Sequence, residues 1–311
     1  MELRDLGEFE LIERIARRAR LDAGASDVSL GIGDDAALLR VRAGEEVVIS
    51  TDARVENVHF RWATESPQVV GRTALVAALS DLAAMGARTL GFTWALTVPP
   101  SLPVRHLDGL AAGLLREART HACPLVGGNL TRGRETSLAL TVVGAVARGR
   151  ALRRQARAGD RILVTGTLGG SALARARAEA SGRPIRRVPT PRLRAGRALT
   201  RIASVRGCID VSDGLEADLA HLLGAALVCD IPSSALPRAR GFDAACRRLG
   251  LDPVRLLRGG GDEYELLFAL APDGPSLRAL ARRLALPVSE LGRVRRGVTS
   301  KRDPARGWRH F

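Results

Sequence analysis

A two-domain α/β fold is predicted by three features of this sequence. Strand-like and helix-like apolar patterns alternate in both halves, a polar arginine-rich stretch with neither period separates them, and 311 residues suffice for two cores. In the first half, residues 8–20 place Phe9, Leu11, Ile12, Ile15 and Ala19 at helical spacing. Val47-Val48-Ile49 is a short β-branched run, read as a strand that ends at Ser50-Thr51-Asp52. Pro67 opens a long helix to about Ala84, which Gly86 closes. Residues 92–98 read as a strand broken by Pro99-Pro100, 104–121 as a helix and 138–146 as a strand. The stretch 148–160 is the break, giving domains of 1–148 and 149–311. Beyond it, 161–166, 207–211 and 226–231 read as strands, 171–180 and 214–224 as helices, and 265–270 and 287–291 as further apolar runs. Residues 181–194, with three prolines and five arginines, read as an exposed linker or loop.

The apolar content of 46%, recurring along the whole chain, excludes a disordered protein. No apolar run reaches the roughly 18–20 residues that cross a bilayer, and the charged Met1-Glu2-Leu3-Arg4-Asp5 does not open a signal peptide. Cys123, Cys208, Cys229 and Cys246 have no paired spacing, which argues against a zinc knuckle or a disulfide framework and for the cytoplasm. The net charge of +15 is uneven: residues 1–100 hold 15 acidic residues and 11 arginines, whereas the remainder holds 18 acidic and 37 basic residues. Lys301 is the sole lysine, so neither a P-loop lysine nor a protein-kinase strand lysine is available. ATP chemistry in this chain must therefore rest on metal ions and arginines. Six Phe, three Trp and one Tyr are scattered singly and build no base-stacking platform. The arginine excess is accordingly read as solvated surface or a basin for a small anion, with no nucleic-acid or membrane partner.

The acidic residues gather in short motifs flanked by glycine or serine: Gly31-Ile32-Gly33-Asp34-Asp35, Ser50-Thr51-Asp52, Ser80-Asp81 and Asp210-Val211-Ser212-Asp213-Gly214. Carboxylates beside hydroxyls and backbone carbonyls are the hard oxygen donors that Mg²⁺ takes, although each motif alone is equally a cap or a turn. Asp81 stands out because it interrupts an otherwise apolar helix, where a carboxylate without a counter-charge is costly. Two glycine-rich segments, Val126-Gly127-Gly128-Asn129 and 164–171, have the bare backbone that cradles phosphate or makes a tight turn. Gly259-Gly260-Gly261-Asp262-Glu263-Tyr264-Glu265 sets acids beside a glycine run. His59 and His310 sit next to aromatics, and no serine occupies a nucleophile elbow. Together these residues describe a magnesium site acting on phosphates with arginine support, where charge neutralisation and in-line positioning matter more than a covalent nucleophile.

The ordered set GIGDDAALL (31–39), STDARVENVHF (50–60), SDLAAMGA (80–87), VGGNLTRG (126–133), DVSDGL (210–215), GGGDEYELLF (259–268) and GWRHF (307–311) resembles the thiamine-monophosphate kinase family. That family belongs to the PurM-like superfamily of aminoimidazole ribonucleotide synthetase, selenophosphate synthetase and the hydrogenase-maturation dehydratase. The resemblance implies a two-domain PurM-like fold, an N-terminal domain that dimerises and holds metal and ATP, and a nucleotide cleft between domains. It implies transfer of phosphate from ATP to thiamine monophosphate, giving thiamine diphosphate by direct in-line attack with several Mg²⁺ ions and no covalent catalytic residue. Matched by position, Asp35, Ser50, Thr51, Asp52, Asp81, Asn129, Asp210 and Asp213 form the implied metal shell. Gly128, Asn129, Ser212 and Arg153, or its neighbour Arg154, fall on the ATP side. His59, Asp262, Glu263 and Trp308 fall on the thiamine side, where an indole can stack on a cationic heterocycle.

Three positions depart from the family pattern. Asn129 stands where an aspartate is common, exchanging an anionic ligand for an amide carbonyl, and weaker binding of one ion is expected. Asp262-Glu263 reverses the commoner Glu-Asp order, and Asn57 stands at a usual glycine. An ATP-dependent enzyme of the superfamily with another acceptor is the nearest alternative. A polyanion-binding protein and a degenerate, non-catalytic relative are more remote ones.

Overall fold

The computed structural model describes residues 1–20, 27–33 and 35–297. They form two compact units: Met1–Leu82 with Arg88–Arg148 and Gly182–Val188, and Ala83–Ala87 with Gly149–Ser181 and residues 189–297.

In the first unit the elements are α1 (Glu8–Arg20), β1 (Val28–Leu30), β2 (Leu38–Leu39), β3 (Glu45–Val55), α2 (Pro67–Ala84), β4 (Arg88–Val98), α3 (Val104–Thr120), β5 (Leu125–Arg132) and β6 (Ser137–Ala147). β1 and β2 pair as a small ribbon, and the others make a four-stranded sheet in the order β3-β6-β4-β5. Only β4 and β5 run parallel, because α3 returns the chain between them. One sheet face is apolar and buried through Phe92, Trp94, Leu96, Leu138, Leu140 and Val142. α2 is apolar on every side, and Val70, Leu75, Val76, Leu79 and Leu82 are all buried, as such a helix requires. The other face of β3 leaves Val47 and Ile49 exposed at 50% and 65%.

The segment Val126-Gly127-Gly128-Asn129, read from its glycines as a phosphate cradle or a tight turn, instead lies within edge strand β5. A Cβ at Gly128 would meet the Trp94 carbonyl oxygen at 2.3 Å, so its glycine serves close strand approach. Residues 182–188, within the expected linker, pair with this unit: the Ile185 N–H donates to the Thr64 carbonyl at 2.7 Å.

The second unit contains β7 (Arg161–Thr165), α4 (Gly170–Ser181), α5 (Leu193–Leu199), β8 (Val205–Asp210), α6 (Leu215–Leu223), β9 (Leu227–Cys229), α7 (Phe242–Arg248), α8 (Pro253–Gly259), β10 (Leu266–Leu270), α9 (Leu277–Leu284) and β11 (Val288–Arg296). Its five-stranded sheet runs β8-β10-β7-β11-β9, antiparallel throughout. The core joins Ile162, Val164, Ile209, Leu267 and Ala269 from the strands to Leu215, Leu219 and Leu222 of α6 and Phe242 of α7. β10 is buried at every position, which explains its unbroken apolar run. Register places Leu266 opposite Asp210, so the loop leaving β8 lies beside the loop entering β10. That adjacency builds the chemistry of this unit.

Candidate active site

In the first unit, the alternation of β3 sorts the Ser50-Thr51-Asp52 motif between two faces. Asp52 pairs with Leu140, which pairs with Trp94, so Asp52 and Ser50 lie on the face that α2 covers. There the Ser50 hydroxyl donates to Asp81 of α2 in a short hydrogen bond, joining two motifs 31 residues apart. This bond gives the polar position in the apolar helix a partner. Thr51 points to the opposite face and shares a hydrogen bond with Thr141 at 2.9 Å. Asp35 is exposed between β1 and β2. Asp34 lies outside the described residues.

Asn129 is not brought to Asp52. It pairs with Ala95 on the face opposite Asp52, at the far edge of the sheet. Three strand spacings, about 14 Å, separate the β3 and β5 edges, too far for one ion to bridge within a single chain. Gly128 and Asn129 are both exposed on that edge.

His59 sits in the tight turn that ends β3, where the Val55 N–H donates to its Nδ1 at 3.0 Å. In the neutral ring the proton is therefore on Nε2, which makes that nitrogen a donor. Asn57, in the same turn, adopts φ 64°. This left-handed conformation explains the departure from glycine: asparagine tolerates it best among residues with a side chain.

In the second unit, buried Asp210 ends β8, and Ser212 and Asp213 follow in the turn before α6, both partly exposed. The 259–265 loop is stitched to this turn by Asp262 N–H to Ser212 O, Tyr264 N–H to Val211 O and Val211 N–H to Glu265 O, each at 2.8 Å. Asp262 and Tyr264 adopt φ values of 60° and 54°, unusual for non-glycine residues and concentrated beside the acidic motif. The Asp262 carboxylate accepts from Arg175 of α4 and from the Tyr264 hydroxyl, each at 2.7 Å, and remains partly exposed. Glu263 is only 2% exposed and accepts the Ser171 N–H at 2.9 Å, so it serves the first turn of α4.

The glycine loop after β7 is also filled by the chain itself. A Cβ at Gly166 would lie 1.9 Å from the Glu265 carboxylate, which binds Thr165 at 2.6 Å and Arg192 at 2.8 and 2.5 Å. Residues 164–171, expected as a phosphate cradle or a tight turn, thus take their anions from Glu263 and Glu265.

Arg153 and Arg154 are exposed, and the Arg153 carbonyl accepts the Cys208 N–H at 2.9 Å. Arg154, not Arg153, lines an open cleft of about 580 Å³ with Arg157, Arg206 and His221. Trp308 and His310 lie outside the described residues. Sequence reasoning missed Asp218, Arg175, Arg192 and Tyr264. Asp218 did carry a signal, as a carboxylate within the apolar run of α6. Burial first, then the neighbouring Asp210 and Asp213, push its carboxyl up to about 8.

Residues 33–146 match the family described as AIR synthase related protein, N-terminal domain. The thiamine-monophosphate kinase of Mycobacterium tuberculosis (strain CDC 1551 / Oshkosh) is 36% identical over 301 residues, covering 93% of this chain and 88% of that protein. The crystal structure of thiamine-monophosphate kinase from Stenotrophomonas maltophilia K279a has a TM-score of 0.79 at 37% identity, covering 94% of this chain and 95% of that one. A structure of AaThiL complexed with AMPPCP and TMP has a TM-score of 0.74 at 28% identity, covering 100% and 99%.

Proposed function

The chain belongs to the thiamine-monophosphate kinase family and phosphorylates thiamine monophosphate with ATP; we propose that it does so by direct in-line transfer on magnesium ions held by its acidic motifs. The observation that carries the metal reading is the meeting of Ser50 with Asp81 on the face that also holds Asp52. Among the described residues no three acidic or histidine side chains form a ready-made cage. That suits Mg²⁺, which keeps waters and takes one or two carboxylates plus substrate phosphates. Buried Asp210 at the end of β8 and partly exposed Asp213 in the following turn offer a second set of hard oxygen donors. Bound magnesium supplies neutralisation of the phosphate charge that otherwise repels the attacking oxygen.

The chain's own groups divide the remaining work. Asp35, Ser50, Thr51, Asp52 and Asp81 hold metal from the first unit, and Asp210 and Asp213 from the second. Ser212 and one of Arg153 and Arg154 contact ATP. His59 offers its Nε2 proton to a phosphate oxygen of the acceptor. Of the acidic pair, Asp262 is the carboxylate for the thiamine side, because Glu263 is buried on α4. Trp308 supplies the stacking face. Functionally, 1–148 is the metal- and ATP-binding and dimerising domain, and 149–311 is the C-terminal PurM-like domain.

A homodimer resolves the position of Gly128 and Asn129. A second copy with its β5 edge beside β3 would deliver both residues to the Thr51–Asp52 end of the first. The exposed Val47 and Ile49 support such cover. No described helix is long and apolar enough to cross a membrane, and a cytoplasmic location with no nucleic-acid partner completes the reading.

Purified protein given Mg-ATP and thiamine monophosphate should form thiamine diphosphate, read by chromatography. No product above an Asp52→Ala control refutes the reading, and parallel reactions with other phosphorylated acceptors expose a different substrate.

A further inference from the structure

Asp218 lies four residues into the run that begins at Gly214, and its Oδ2 accepts three consecutive backbone N–H groups. These come from Ser212 at 3.0 Å, Asp213 at 3.1 Å and Gly214 at 3.2 Å. Successive N–H groups pointing into one concavity form an anion nest, and here a buried side chain of the chain itself fills it. The carbonyl side of the same turn is held by the 262–265 loop. Backbone groups on both sides are thus engaged, and the partly exposed side chains of Ser212 and Asp213 are left to face outward.

We infer that Asp218 is a positioning residue, holding the Ser212–Gly214 backbone in the shape that presents the Ser212 hydroxyl and the Asp213 carboxylate to ATP and its magnesium. This rests on the kinase reading above. Asp218 is 2% exposed, and its one oxygen fixes the backbone of three residues in a row, two of which the kinase reading places on ATP and its magnesium. A single acceptor oxygen serves three hydrogen bonds at once, at the residues that the kinase reading places on the nucleotide.

The test uses the full-length protein with Asp218→Ala, Asp218→Asn and Asp218→Glu. ATP, Mg²⁺ and thiamine monophosphate are varied separately, and binding of a non-hydrolysable ATP analogue with Mg²⁺ is followed by calorimetry. Asp218→Ala should raise the ATP KM and the half-saturating Mg²⁺ about tenfold or more, leaving the thiamine monophosphate KM within about twofold. Asp218→Asn keeps an acceptor oxygen in place and should recover to within about threefold of the native enzyme. A lowered melting temperature with unchanged ATP and Mg²⁺ dependence overturns the inference, as does an Asn variant as impaired as Ala. Should Ala fail to fold by circular dichroism, Glu decides: its carboxylate is displaced by a methylene, so ATP affinity must fall for Glu and be retained for Asn. If the native protein makes no thiamine diphosphate, the kinase reading fails on its own, and the calorimetry still judges Asp218.

Discussion

Arg192→Ala should destabilise the second unit by about 3 kcal/mol, because it strands a buried charge. Glu265 is 3% exposed and accepts hydrogen bonds from Nε and Nη2 of Arg192 as well as from the Thr165 hydroxyl. Removing one partner of such a pair costs about 3–5 kcal/mol, and the 22% exposure of the Arg192 side chain lets water reach the site, which favours the lower end. At about 2–4 °C per kcal/mol for a unit of this size, the melting temperature should fall by roughly 6–12 °C. Glu265→Gln, which leaves an acceptor for Thr165 and a guanidinium that water partly reaches, should cost about 1 kcal/mol. The double variant should then lose about 2 kcal/mol less than the sum of the single losses, the coupling of a shared interaction. Calorimetric or fluorescence melts of the four proteins read this cycle. A loss below about 1 kcal/mol for Arg192→Ala, or strict additivity, would show that water or another cation already satisfies Glu265 and would refute the reasoning.

Asn129→Asp should lower the half-saturating Mg²⁺ several-fold, roughly 3–10, since ligand charge tunes hard-cation affinity; an unchanged titration removes Asn129 from the metal shell. Ser50→Ala should cut kcat roughly tenfold by taking the hydroxyl donor from Asp81, with the melting temperature nearly constant. Asn57→Ala should cost about 1 kcal/mol and Asn57→Gly almost nothing, because φ is 64° there; equal melts would remove conformational strain as the explanation. Asp108 accepts bonds from Arg14 and Arg18, and the Arg14 bond foremost holds its carboxyl below the usual range. Its stabilisation is therefore present above pH of about 4 and lost as pH falls through the lower folded value; Asp108→Asn should flatten that acid limb of stability against pH.

What was legible in the sequence depended on how local its cause was. Helices over 8–20, 67–84 and 104–120 follow from apolar spacing and a proline start, and the chain forms them there. β10 announced itself as a buried apolar run. α8 carried a readable start as well, Asp252 capping Val254 with Pro253 at its first position, but at seven residues its period is too short to register. β5 misled because glycine normally signals a turn, whereas here it lets one strand lie against the Trp94 carbonyl. The acidic motif of 262–265 was legible as chemistry but not in its assignment. Glu263 and Glu265 find their partners 92 and 100 residues away, and nothing local distinguishes them from partly exposed Asp262.

Charge placement carries the same lesson one step further. The arginine excess beyond residue 100 looked like a surface trait or an anion basin, yet many of these arginines hold the second unit together. Arg175 holds Asp262, Arg192 holds Glu265, Arg206 meets buried Asp160, and Arg258 meets Glu216. Asp262 and Glu265 lie in the 259–265 loop and Glu216 in the first turn of α6, whereas Asp160 precedes β7 at the opposite end of the sheet. Arginine suits this because its planar fork binds a carboxylate through two bonds, as Arg192 does, whereas lysine supplies a point charge. The near-absence of lysine therefore removes one familiar way of holding ATP while leaving ample means of shaping carboxylate loops. In the second unit, then, cationic side chains set the scaffold, and on the proposed reading it is carboxylates with metal ions that meet the phosphates.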